Sequence, residues 1–120
     1  MKKIVFITGT STGFGKLMVE TLSKAGHTVI AGMRGVNGKN EKIANELNAL
    51  PNVEVTEIEI TDDSSVNSAI HNAITKYGKI DVLVNNAAMA GYGLLEGYSV
   101  EQFKKMMDVN LYSVLRTYLA

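Results

Sequence analysis

Residues 4–26, IVFITGTSTGFGKLMVETLSKAG, constrain the rest of the chain most. Ile4 to Ile7 is a short apolar run of strand composition. Gly9, Gly13 and Gly15 follow, and then a helical pattern places Leu17, Met18, Thr21 and Leu22 on one side before Gly26 closes it. Strand, glycine turn and helix in this order suit a nucleotide diphosphate. The first turn of a helix carries N–H groups without intrahelical partners, and the helix dipole favours negative charge there. Phosphate is drawn to that end when the backbone can approach it. Gly9 allows the tight turn out of the strand. Gly13 removes a side chain that would block pyrophosphate, and Gly15 lets the helix pack closely on the strand. Ser11 and Thr12 add hydroxyl donors, and Phe14 belongs to the same candidate cofactor-binding turn.

The spacing narrows the possibilities. It is neither the G-x-G-x-x-G of the common dinucleotide fingerprint nor the Gly-Lys-Ser/Thr ending of a P-loop. Thr8-Gly9-x-x-x-Gly13-x-Gly15 resembles the glycine motif of the short-chain dehydrogenase/reductase family, and further matches extend along the chain.

Beyond Gly26, strands and helices alternate. His27 to Ala31 reads as a second strand, ended by Gly32-Met33-Arg34-Gly35, and Val36 to Lys39 as a polar loop. Asn40 caps a helix over 41–50 with Ile43, Ala44, Leu47 and Leu50 at helical spacing. Val53 to Ile60 is a third strand, and its Glu54, Glu57 and Glu59 suggest a place near the sheet edge. Asp62 caps a helix over 64–77, with Val66, Ala69, Ile70, Ala73 and Ile74 facing inward and Gly78 ending it. Val82 to Val84 is a fourth strand, free of charge and expected to be central. A glycine-containing loop over 85–97 leads to a last helix from Ser99 or Val100 that continues to the end of the sequence. The expected fold is α/β: a doubly wound parallel sheet of Rossmann type, four strands alternating with helices as a single dinucleotide-binding half-domain over 1–120. Ligand should lie at the carboxyl ends of the strands.

The family resemblance assigns further positions. The end of the second strand holds the adenosine ribose. An acidic residue there selects NAD, whereas a cation without that carboxylate suits the 2′-phosphate of NADP. Met33 stands at the acidic position and Arg34 follows, which implies NADP(H), with NAD(H) possible; a guanidinium suits phosphate through its planar donors. Thr12 stands where NADP-dependent members often carry a basic residue. At the end of the third strand Glu59 replaces the family's Asp, and the Ile60 backbone would read the adenine edge. Asn85-Asn86-Ala87-Ala88 resembles the family's Asn-Asn-Ala-Gly, which supports the sheet and lines the nicotinamide ribose; Ala88 departs from it. Asn110 resembles the helix asparagine that holds a water in the catalytic proton relay.

The resemblance also implies a serine, a tyrosine and a lysine on the strand and helix beyond this point. Tyr112 and Tyr118 are no substitutes, since neither is followed four residues later by lysine. The chain therefore reads as the first half of such an enzyme. It would carry the cofactor-binding elements of a reductase that moves hydride between NADP(H) and a carbonyl or secondary alcohol, without efficient turnover of its own. An unpaired edge on the fourth strand and apolar faces on the last helix would then favour self-association. A non-catalytic nucleotide-binding or interaction module uses the same glycine turn and remains an alternative. A receiver-type domain would need acidic residues where Thr8-Gly9 stand. Residues Met89 to Leu95 are candidates for substrate contact.

Composition excludes several other classes. Twelve basic and twelve acidic residues balance to zero net charge, which offers no field for nucleic acid or an anionic membrane. There is no cysteine, so neither disulfides nor thiolate chemistry arise, and His27 and His71 are too separated to suggest a metal. The apolar run after Lys2 and Lys3 is too short for a signal peptide, so cytoplasmic residence is expected.

Overall fold

The structure, a computed structural model, describes residues 2–87 and 99–120. Four strands, β1 (Ile4–Ile7), β2 (Thr28–Met33), β3 (Val53–Glu57) and β4 (Val82–Val84), form one parallel sheet in the order β3-β2-β1-β4. Helices α1 (Gly13–Lys24), α2 (Glu41–Asn48) and α3 (Asp63–Tyr77) connect them. The order 3-2-1-4 is that of the doubly wound dinucleotide-binding sheet and differs from the 2-1-3-4-5 order of flavodoxin-like and receiver domains. It places the β1–α1 turn at the point where the strand order reverses.

Both sheet faces are covered, which explains the near-continuous apolar composition of β1 and β2. Successive strand residues point to opposite faces. Val5, Ile7, Val29, Ala31 and Met33 meet Val19 of α1 and Ala44 and Leu47 of α2. Phe6 and Ile30 face the other way, against Val66, Ala69, Ile70 and Ala73 of α3, with Ile58 and Ile60 beside them. β3 lies at one edge, as its acidic residues suggest. β4 takes the opposite end of the sheet with Val82 exposed, so among the described residues its outer edge is unpaired, as expected of a fourth strand with no fifth beside it.

Helix ends follow local chemistry. The Asp62 carboxylate accepts the N–H groups of Ser64 and Ser65 at 2.8 and 3.2 Å, and Gly78 closes α3 in the left-handed conformation. Ser99 and Gln102 make a reciprocal capping box at the start of α4 (Val100–Met107).

Several expectations shift: β3 ends at Glu57 rather than Ile60, and the Asn40 side chain makes no capping hydrogen bond to α2. The buried face of α1 is Gly15, Val19 and Ser23 flanked by Met18 and Leu22, while Leu17 and Thr21 are exposed. Ile74 is exposed, and Tyr77 instead packs against that core. β2 runs on through Gly32 and Met33, which pair with Thr56 and Glu57 of β3, and a Cβ on Gly32 would stand 2.8 Å from Ile58 Cγ2. The last helix is interrupted. A π-helical turn, Asp108–Tyr112, separates α4 from α5 (Ser113–Leu119). Within it the Ser113 hydroxyl donates to the Val109 carbonyl at 2.5 Å, competing with the backbone ladder.

Candidate nucleotide-binding cleft

The β1–α1 turn is held by both neighbouring strands. The Thr10 backbone N–H and hydroxyl both donate to the Gly32 carbonyl of β2, at 3.1 and 3.0 Å. On the other side, Thr8 N–H donates to the Val84 carbonyl of β4 at 3.0 Å. The Thr8 hydroxyl oxygen accepts the N–H groups of Asn86 and Ala87, each at 3.1 Å. The Asn86 amide nitrogen then donates to the Gly9 carbonyl at 3.0 Å. Thr8 and Thr10 are both buried. They fix the turn, and their partners lie too far along the chain for any local motif to announce them.

Two glycines fit this frame for different reasons. A Cβ on Gly15 would stand 2.1 Å from the Gly9 carbonyl oxygen and 2.6 Å from Asn86 Nδ2, so the helix can approach the turn only without a side chain here. Gly13 has φ +60° and open space where its Cβ would be. Its missing side chain leaves room at the helix start. Thr12 is the N-cap of α1, yet its hydroxyl makes no capping hydrogen bond. The first-turn N–H groups thus face outward without a side-chain acceptor from the N-cap.

A cleft of about 610 Å³ opens along the carboxyl ends of β1, β2 and β3. Gly9, Ser11 and Thr12 line one wall, with Asn86 and Ala87 beside them, and Met33, Arg34, Glu59 and Ile60 line the far end. Arg34, Lys39 and Lys105 supply positive charge, and Glu59 is the one carboxylate among the described lining residues. Arg34 Nη1 lies 3.5 Å from Glu59 Oε2. The loop carrying Arg34 is braced from β3: both Glu57 oxygens accept backbone N–H groups, from Gly35 at 3.0 Å and Val36 at 3.2 Å. Asn40 donates to the Arg34 carbonyl at 2.6 Å. The acidic composition of β3 hinted at an edge, but not at this bracing role for Glu57.

The sequence profile of the family described as short chain dehydrogenase matches residues 3–120. The chain belongs to the short-chain dehydrogenase family. The 3-oxoacyl-acyl-carrier-protein reductase of Escherichia coli is 33% identical over 114 residues, covering 95% of this chain and 46% of that protein. An alcohol dehydrogenase of Thermococcus sibiricus, solved with 5-hydroxy-NADP, superposes with a TM-score of 0.86 at 32% identity, over 99% of this chain and 51% of that one. A 3-ketoacyl-(acyl-carrier-protein) reductase of Brucella melitensis, solved with NADH, gives a TM-score of 0.85 at 28% identity, over 98% and 47% of the two chains. The chain spans less than half the length of the curated relatives it matches.

Not every candidate residue of this family member lies on the cleft wall. Asn85 Oδ1 accepts the Thr117 hydroxyl at 2.6 Å, so it ties β4 to α5. Phe14 is 80% exposed and stands outside the lining, as do Gly13, Gly15 and exposed Asn110 in the π turn. π turns often occur at functional sites of helices, and Val109 beside Asn110 does reach the cleft. Ala88 and the candidate substrate residues Met89 to Leu95 lie outside the described residues. Among the described residues there is no cluster of metal-ligating side chains, and no helix is long and apolar enough to cross a membrane.

Proposed function

We propose that this chain is the dinucleotide-binding half of a nicotinamide-dependent oxidoreductase, preferring NADP(H) over NAD(H). The fit of the cleft to such a cofactor carries the reading. Open space at Gly13 meets the uncapped start of α1, suited to a pyrophosphate. Arg34 stands at the end of β2, where Met33 supplies no carboxylate to an adenosine ribose. Arg34 would hold a 2′-phosphate, with Lys39 adding charge. The Ile60 backbone would border the adenine. Asn86 and Ala87 would border the nicotinamide ribose while Asn86 holds the turn.

The nicotinamide, when bound, supplies hydride exchange with a carbonyl or secondary alcohol. This chain's residues bind and orient. Asn110, at the π turn, would position a water for a proton relay that the family completes with a serine, a tyrosine and a lysine. Family membership favours an oxidoreductase over a purely structural interaction module. The surrounding protein is expected to be cytoplasmic and oligomeric.

Nicotinamide fluorescence tests the reading. NADPH should bind saturably to the 120-residue chain, more tightly than NADH, with negligible steady-state oxidation across a carbonyl panel. Absence of binding would refute the cofactor assignment. Robust turnover would refute the division of labour.

A further inference from the structure

Arg34 and Glu59 face each other at the far end of the cleft, on loops that follow different strands. Their closest charged atoms, Nη1 and Oε2, are 3.5 Å apart. The other Glu59 oxygen is fixed: Oε1 accepts the Thr61 hydroxyl at 2.8 Å and the Thr61 N–H at 3.4 Å. The Glu59 backbone N–H donates to Ser65 Oγ at 2.8 Å. Glu59 is thus a positioned carboxylate, while the Arg34 side chain, 57% exposed, reaches toward it. No other carboxylate lies on the described cleft wall.

We infer that Glu59 is a specificity-setting counter-ion: it engages the Arg34 guanidinium in the free protein and so lowers the advantage of nucleotides that carry a 2′-phosphate. This rests on the proposed nucleotide-binding function of the cleft. A 2′-phosphate on the adenosine ribose would take the Arg34 donors that otherwise face Glu59. It would also sit close to a second negative charge. A nucleotide with a free 2′-hydroxyl breaks no such pair and suffers little repulsion. Discrimination between the two is therefore set by the balance of Arg34 and Glu59, not by Arg34 alone. Exposed ion pairs are weak, so the counter-ion trims the preference by a few-fold and does not reverse it.

Substitution Glu59→Gln isolates the charge, because glutamine keeps an oxygen for Thr61. The probes are 2′,5′-ADP and 5′-AMP, titrated calorimetrically into the wild type, E59Q, R34A and the double variant, with circular dichroism confirming folding. The preference for 2′,5′-ADP, as a ratio of dissociation constants, should rise about three- to five-fold in E59Q. In the R34A background the same substitution should change the ratio much less, since the remaining effect is only through-space repulsion. An unchanged or reduced ratio in E59Q overturns the inference, as does an equal rise with and without Arg34. If the folded wild type binds neither nucleotide, the cofactor reading falls and takes this inference with it. If it binds both and only the ratio fails to move, the inference falls alone.

Discussion

Gly15 and Gly9 touch across the β1–α1 turn so closely that a Cβ on Gly15 would stand 2.1 Å from the Gly9 carbonyl oxygen. That carbonyl is already fixed by Asn86, so the clash cannot be relieved by a flexible side chain. Gly15→Ala should destabilise the fold by about 2–3 kcal/mol, the upper range for overpacking. Gly13→Ala meets open space and carries only the left-handed backbone strain, about 1–2 kcal/mol. Its larger effect should be on nucleotide affinity. Urea unfolding alongside nucleotide titration separates the two; equal stability losses would refute the distinction.

Arg116, alongside the Thr117–Asn85 hydrogen bond, fastens α5 to the rest of the domain. It reaches Asp63 at the start of α3, Asp108 in the π turn at 2.9 Å, and the Ile60 carbonyl at 2.6 Å. Burial opposes its charge, but the two carboxylates outweigh this and raise its pKa above the ordinary value. Arg116→Met should cost about 2 kcal/mol, between the values for exposed and buried pairs. Arg116→Lys should recover little, since an ammonium lacks the planar fork. Limited proteolysis of 100–119 reads the release directly, and unchanged protection in R116M would contradict it.

Acid should weaken the fold through Glu54 and Asp81. Burial would raise the Glu54 carboxyl, but hydrogen bonds from Lys76 and Tyr77 together with the Lys76 charge hold it below the ordinary 4.5. Asp81 is lowered from 3.8, first by the Ile4 N–H at 2.8 Å and then by Lys79. A carboxylate with a depressed folded-state pKa contributes stability above its unfolded pKa, and that contribution is lost as pH falls through the folded value. Urea midpoints measured from about pH 6 down to pH 3 should therefore fall, and Glu54→Gln should flatten the drop. An acid limb of the same slope in E54Q would show that Glu54 plays no part.

The outer surface of 100–119 carries exposed Phe103, Leu111, Leu115, Tyr118 and Leu119. A run of large apolar side chains in one region marks an association surface. Light scattering should show concentration-dependent association of the 120-residue chain, reduced in a Leu115→Lys, Tyr118→Lys double variant. A stable monomer at all concentrations would contradict this.

Much of the fold was legible because its signals are local. The apolar run of β1, the glycine spacing, the Asp62 cap and the Gly78 stop each act within a few residues. The face of α1 was not, because Leu17 and Val19 fit a helical pattern about equally well and only the sheet beneath decides between them. At the site, Arg34 and Glu59 stood out by position, yet their mutual approach depends on how β2 and β3 align. The bracing roles of Thr8, Thr10 and Glu57 were missed for a related reason: each depends on a distant partner that only folding supplies. The π turn coincides with the Ser113 back-bond and the Arg116–Asp108 ion pair, which helical periodicity does not record.

Amide chemical-shift mapping during an ADP titration tests most directly the proposed docking of a nucleotide diphosphate on the backbone at the start of α1. The largest shifts should fall on the N–H groups of residues 10–15 and saturate together with those of Arg34 and Ile60. Saturable shifts confined to other parts of the chain, or no shifts in a folded sample, would contradict it.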